Sequence, residues 1–300
     1  MADNSKSQFE HGHKIPPHDL EHPGLQSDLQ GPPPQNEHIS TWDGGYQLYK
    51  AAGKLEGRKA LITGGDSGIG RAVAILYAME GADSFIVYLP EEEKDAQETK
   101  KYVEKYGRTC HLMATDLTKQ ENCKKVVEEA VKAMGTINFL VNNHAFQMMK
   151  EHISEVSEEQ WLHTFNTNVH SFFYLSKYTL PHMKRGDSIL NNASVNAYTG
   201  KPNLLDYTST KGAIIAFTRA LSNQFVEKGI RVNAVAPGPV WTPLIPATMH
   251  REAQESFGAP MGRPIQPSEV ATCFVFLASM DSAAISGQTL HPNGGRMVGG

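Results

Sequence analysis

The stretch KALITGGDSGIGRAVAILYAMEG, residues 59–81, decides the fold. Lys59 to Thr63 is a short apolar run ending at glycines, the pattern of a strand buried on both faces. From Ile69 to Glu80 apolar residues recur at helical spacing, and Gly81 stops the run. A helix N-terminus presents free N–H groups and partial positive charge. Gly64, Gly68 and Gly70 lack the Cβ atoms that would hold a diphosphate away from that backbone. The turn is therefore expected to seat a dinucleotide, with Asp66, Ser67 and Ile69 as the neighbouring loop contacts.

The alternation continues to the C-terminus. Strands are expected at Ser84–Leu89, Thr109–Ala114, Ile137–Val141, Ser188–Ala193, Arg231–Ala236 and Gln288–His291. Helices are expected from Glu91 to near Gly107, and over Thr118–Met134, Glu158–Met183, Asp206–Glu227 and Ser268–Ala278. Ser157 and Gln160 approximate a capping box ahead of the third of these. Strands separated by helices pair in parallel, because parallel neighbours need crossovers. The expected fold is α/β: a single doubly wound Rossmann-type domain, its central parallel sheet of about seven strands flanked by helices.

Residues 1–54 have a different composition. They hold two proline clusters, five of the thirteen histidines and few aliphatic residues. Such a segment does not bury enough to fold alone, so it reads as an extended arm ahead of a catalytic domain at 55–300. The aromatics at its end, Trp42, Tyr46 and Tyr49, with Leu48, suggest an arm lying on the domain or on a neighbouring subunit. His11, His13, His18 and His22 have no regular ligand spacing, and no metal is expected.

The bulk numbers exclude several classes. Net charge is −4, which offers no footprint for nucleic acid or an anionic membrane. No apolar run approaches the ~20 residues of a spanning helix. Cys110, Cys123 and Cys273 are odd in number and widely separated, which argues against a disulfide framework. A soluble, cytoplasmic protein is expected.

Tyr207 and Lys211 are four residues apart, on one face of the expected helix and one turn from each other. A free tyrosine ionises near pH 10, too high for efficient proton transfer at neutrality. A nearby ammonium, and the positive nicotinamide of an oxidised cofactor, favour tyrosinate and lower that value. Ser194 ends a strand thirteen residues before Tyr207. At the end of the second strand of the domain, where an acidic residue would bind a ribose 2′-hydroxyl and repel a 2′-phosphate, stands Tyr88. That tips the expected cofactor to NADP(H) over NAD(H).

Together the glycine turn and the Ser194–Tyr207–Lys211 set resemble the short-chain dehydrogenase/reductase family. The similarity spans roughly residues 55–295 and leans to the glucose-and-ribitol-dehydrogenase-like branch. That resemblance implies further roles. Ser194 would polarise a substrate carbonyl, Tyr207 would donate the proton, and Lys211 would tune Tyr207 and hold the nicotinamide ribose. Asn168 would hold a water in a proton relay. Asp116 and Leu117 would contact the adenine, and Asn142, in Asn142-Asn143-His144-Ala145, would flank the adenosine. Pro237, Gly238, Val240 and Thr242 would pack on the nicotinamide and its carboxamide, ahead of a substrate lid over about 242–263. His144 falls in the supporting loop and is not expected to act as acid or base.

The implied activity is interconversion of a small-molecule carbonyl and alcohol with a nicotinamide cofactor. Two other readings stay open at this point: a non-redox isomerisation, dehydration or cyclisation on the same fold, and a non-catalytic nucleotide sensor. The family also implies a homo-oligomer, dimer or tetramer.

Overall fold

The computed structural model describes residues 6–299. Its first stretch runs extended over the body, interrupted by one 3-10 turn at Gln26–Asp28 and a hairpin of β1 (His38–Ser40) and β2 (Tyr46–Leu48). Despite its polar composition this stretch buries Phe9, His13, Ile15, His18 and Gln26 against the body. Ile15 packs with Trp241 and Ile245, and the Trp241 indole N–H donates to Pro32 O. Tyr49 is tied down by its hydroxyl, which donates to the buried Glu80 carboxylate. Trp42, Tyr46 and Leu48 stay exposed.

The body then alternates: β3 (Lys59–Thr63), α1 (Gly68–Met79), β4 (Asp83–Tyr88), α2 (Glu93–Lys105), β5 (Cys110–Ala114), α3 (Gln120–Met134) and β6 (Phe139–Asn142). After it come α4 (Glu158–Phe165), α5 (Ser171–Thr179), β7 (Ser188–Asn192), α6 (Asn196–Thr199), α7 (Leu205–Phe225) and β8 (Arg231–Val235). The chain closes with α8 (Leu244–Thr248), α9 (Arg251–Glu255), α10 (Pro267–Ala278) and β9 (Thr289–Leu290). Seven strands form one parallel sheet in the order β5-β4-β3-β6-β7-β8-β9.

Strand alternation divides the core. Ala60 and Ile62 of β3 pack with α1, α2 and α10 on one face, while Leu61 packs with α3, α5 and α7 on the other. The order reverses between β3 and β6. Ligands of doubly wound sheets bind at that crevice, outside the carboxyl ends of the strands.

The expected 158–183 helix is divided. Ser157 Oγ accepts the Gln160 N–H and starts α4. A π-helical turn at Asn166–His170 separates α4 from α5, and Pro181 lies in a 3-10 turn that ends the run at His182. Between Pro243 and Arg263 the expected lid is ordered by α8 and α9.

Candidate functional site

The loops at the carboxyl ends of β3, β4, β5, β6, β7 and β8 enclose a cavity of about 790 Å³. That volume lies within the range of ~300–1,000 Å³ usual for ligand pockets. Its floor is the glycine turn. Gly64 and Gly68 have φ of +60° and +51°, and a Cβ on Gly70 would stand 1.8 Å from Gly64 O. The turn is closed so tightly that glycine is a packing requirement at Gly70. The Ile69 N–H has no acceptor among the described residues. Asp66, Ser67 and Ile69 line the cavity.

β4 delivers Tyr88, whose hydroxyl donates to Glu93 Oε2 at 2.7 Å. Glu92 lies beside it on the cavity wall, its Oε2 accepting the Leu89 N–H at 2.8 Å. Burial holds the Asp66 and Glu92 carboxyls above the ordinary carboxylate range, with Asp66 further raising Glu92 and Asp95 further raising Asp66. β5 delivers Asp116 and Leu117 to the wall, where Asp116 accepts from the Thr118 N–H and hydroxyl.

Asn142 does not reach the cavity, contrary to expectation. Successive residues of a strand face opposite ways, and the Asn142 amide is buried, donating to Asn191 Oδ1 at 2.9 Å. Asn143 lines the cavity in its place. Its amide donates to Thr63 O and Gly64 O, each at 3.0 Å, and accepts from Asn192 Nδ2 at 2.8 Å. His144 braces the same loop between Thr63 Oγ1 (2.7 Å) and Ser171 Oγ (2.9 Å). Burial drives its value down to about 3, so the ring is neutral near pH 7.

Ser194 lies two residues beyond β7 and α7 carries Tyr207 and Lys211, and all three line the cavity. Ser194 Oγ accepts the Asn196 N–H at 3.1 Å. Lys211 Nζ donates to Asn192 O at 2.7 Å and lies 5.3 Å from the Tyr207 ring centroid. Burial pushes Tyr207 up to about 12, against a lowering by Ser194, and pushes Lys211 down to about 7. The expected lowering of Tyr207 counted the positive nicotinamide of an oxidised cofactor beside the Lys211 ammonium, whereas the direction set by the protein chain itself is upward. In this environment desolvation outweighs any help from Lys211, because both charged forms are penalised together.

Asn168 lies behind this row and does not line the cavity. The π turn aims it at the 146 segment: Oδ1 accepts the Phe146 N–H at 2.7 Å, and Nδ2 donates to Phe146 O at 2.9 Å and Thr210 Oγ1 at 3.0 Å. Pro237, Gly238, Val240 and Thr242 line the opposite side. Trp241 and Pro239 carry the backbone bonds to Ile265, and the Val240 N–H and C=O have no partner among the described residues. The residues thus suit a nicotinamide dinucleotide: a tight glycine floor with a free N–H at one end, and a free donor–acceptor pair matching a carboxamide at the other.

The arm was expected on the domain or on a neighbouring subunit, but not as part of the cavity. His22, Pro23 and Gly24 also line the cavity, as do His163 and Lys201. No periodicity or motif marks a polar arm as a cavity wall. Only contacts between residues far apart in sequence bring it there.

Residues 64–296 match the family model described as enoyl-(acyl carrier protein) reductase. The chain is 47% identical to a glucose and ribitol dehydrogenase of Daucus carota, over 96% of this chain and 99% of the relative. It is 52% identical to NADPH-dependent aldehyde reductase 1, chloroplastic, of Arabidopsis thaliana, over 83% of this chain and 90% of the relative. A solved short-chain dehydrogenase from Burkholderia cenocepacia, in complex with NADP, superposes with a TM-score of 0.75 at 29% identity, covering 81% of this chain and 98% of that one.

Proposed function

The chain belongs to the short-chain dehydrogenase/reductase family and is an NAD(P)-dependent oxidoreductase interconverting carbonyl and alcohol, and from that premise we propose how its residues divide the work. The observation that carries the reading is the convergence of Ser194, Tyr207 and Lys211 on the cavity floored by the glycine turn. A bound nicotinamide supplies the hydride in reduction and accepts it in oxidation. Tyr207 donates its hydroxyl proton to the carbonyl oxygen, and takes one back in the reverse direction. Ser194 holds the same oxygen by a hydrogen bond. Lys211, anchored on Asn192 O, holds a ribose hydroxyl and eases ionisation of Tyr207 when it carries its proton. Asn168 keeps the 146 segment in place and supports a proton relay behind Lys211.

The diphosphate is held by the turn at Gly64, Asp66, Ser67, Gly68, Ile69 and Gly70. Tyr88, Asp116, Leu117 and Asn143 surround the adenosine, and Pro237, Gly238, Val240 and Thr242 surround the nicotinamide. NADP(H) is the favoured cofactor. Tyr88 carries no carboxylate to repel a 2′-phosphate, and burial raises the neighbouring Glu92 above the ordinary carboxylate range, which weakens its repulsion. The protein acts in the cytoplasm as a dimer or tetramer. In support of assembly, Trp161, Leu162 and Phe173 leave apolar surface exposed on α4 and α5. Among the described residues no helix is long and apolar enough to cross a membrane.

Nicotinamide fluorescence titrations with NADPH and NADH, followed by aldehyde turnover, test this reading. NADPH is expected to bind more tightly, and Tyr207→Phe to lower kcat by about 10²-fold or more with NADPH binding retained. Tighter NADH binding would reverse the cofactor assignment. Full turnover in Tyr207→Phe would remove Tyr207 as the proton donor.

A further inference from the structure

The arm crosses the cavity between two anchors. At the lid, the His18 N–H donates to Gln254 Oε1 at 3.1 Å, Gln254 Nε2 donates to His18 O at 2.9 Å, and the Leu20 N–H donates to Pro246 O at 3.1 Å. At the glycine turn, the N–H groups of Gln26 and Ser27 both donate to the Asp95 carboxylate of α2. Gln26 Oε1 accepts the Gly68 N–H at 2.7 Å, at the first residue of α1. Asp95 also faces Arg71 of α1 at 3.3 Å, so this anchor joins the arm to both helices of the cofactor half.

Between the anchors the backbone lies flush on the lid. Gly24 has φ +81°, and a Cβ there would stand 2.9 Å from Ala247 Cβ and 3.0 Å from Pro243 O. The neighbouring His22 ring meets Phe146 edge-on with centroids 5.1 Å apart, and Phe146 meets His163 edge-on at 4.5 Å. All three rings line the cavity, with Leu244, Ile245 and Phe257 of the lid. Burial and the nearby His163 lower His22 from its ordinary value, which favours a neutral ring.

We propose that residues 22–26 of the arm are a strap belonging to the active cavity, in which Gln26 positions the glycine turn and His22 selects carbonyl substrates with an aromatic or apolar body. The proposal deepens the oxidoreductase reading and rests on it for the substrate half alone. The strap ties the turn that holds the diphosphate to the lid that covers the substrate. Seating the cofactor against an ordered turn therefore also steadies the substrate wall. His22 and Phe146 present ring edges and faces to an aromatic substrate, and a small aliphatic aldehyde makes few of those contacts.

The test uses the full chain as wild type, His22→Ala, His22→Phe and Gln26→Ala. The readouts are KM and kcat for benzaldehyde and propanal with NADPH, NADPH affinity, and amide hydrogen exchange over residues 18–28 with and without NADPH. His22→Ala is expected to raise KM for benzaldehyde roughly two- to tenfold, the range of one aromatic contact. The rise should exceed that for propanal and the accompanying fall in kcat, and His22→Phe should recover most of it. Gln26→Ala should weaken NADPH binding about threefold or more, and NADPH should slow exchange across the strap in wild type. Equal KM changes for both aldehydes overturn the role of His22. Exchange unaffected by NADPH, or unchanged affinity in Gln26→Ala, overturns the role of Gln26. Wild type that binds NADPH yet reduces no carbonyl defeats the oxidoreductase reading, while exchange and affinity still decide whether the strap serves the cofactor.

Discussion

Tyr207 and Lys211 occupy adjacent turns of α7 and are both buried, so desolvation penalises the charged form of each. The consequence for stability has a definite sign. Lys211 titrates near 7 in the folded chain, below its ordinary 10.5. Between those values the unfolded chain binds more protons, so stability rises with pH. Tyr207 is raised from 10 to about 12, so its contribution is present below pH 10 and is lost only as pH rises towards 12. Of this pair, Lys211 is the one that contributes between pH 7 and 10. Urea unfolding at pH 7 and pH 9.5 should show wild type gaining stability relative to Lys211→Met as pH rises. A difference that stays flat would mean that Lys211 keeps its proton in the folded state.

At the scale of elements, two irregular pieces set the site. The glycine turn between β3 and α1 is closed until a Gly70 Cβ would overlap Gly64 O. Gly70→Ala must shift that backbone. It should cost about 1–3 kcal/mol, as overpacking does, and should weaken NADPH binding as well. Denaturant unfolding and fluorescence titration of the same variant check both effects, and an unchanged affinity would show that the turn does not hold the cofactor. The other piece is the π turn at 166–170, which rotates Asn168 onto the backbone of Phe146. The turn's residues have ordinary helical spacing, so the sequence read as one helix. In the folded chain the turn sits where Asn168 bonds both the 146 segment and Thr210 of α7.

At the scale of the molecule, apolar surface on α4 and α5 remains to be covered. Phe173, together with Trp161 and Leu162, is exposed in the single chain. Phe173→Asp places a charge where a partner subunit is expected to bury that surface, and unpaired buried charge is strongly disfavoured. Light scattering should show the wild type as a dimer or tetramer and the variant as a smaller species. A wild type that runs as a monomer would remove the assembly proposal.

Much of this protein is decided locally. The strand-glycine-helix order, the alternation that demands a parallel sheet, and the four-residue spacing of Tyr207 and Lys211 depend only on neighbours along the chain, so they were legible before folding. Tertiary structure decided the rest. Whether Asn142 or Asn143 faces the cavity depends on the register of β6 between β3 and β7. The direction in which Tyr207 shifts depends on how deeply α7 is buried. The place of the arm depends on contacts more than two hundred residues apart in sequence, such as His18 with Gln254. Composition marks residues 1–54 as a segment too poor in aliphatic residues to make a core of its own. It is silent about a core made elsewhere, onto which a polar segment docks through its backbone donors and acceptors.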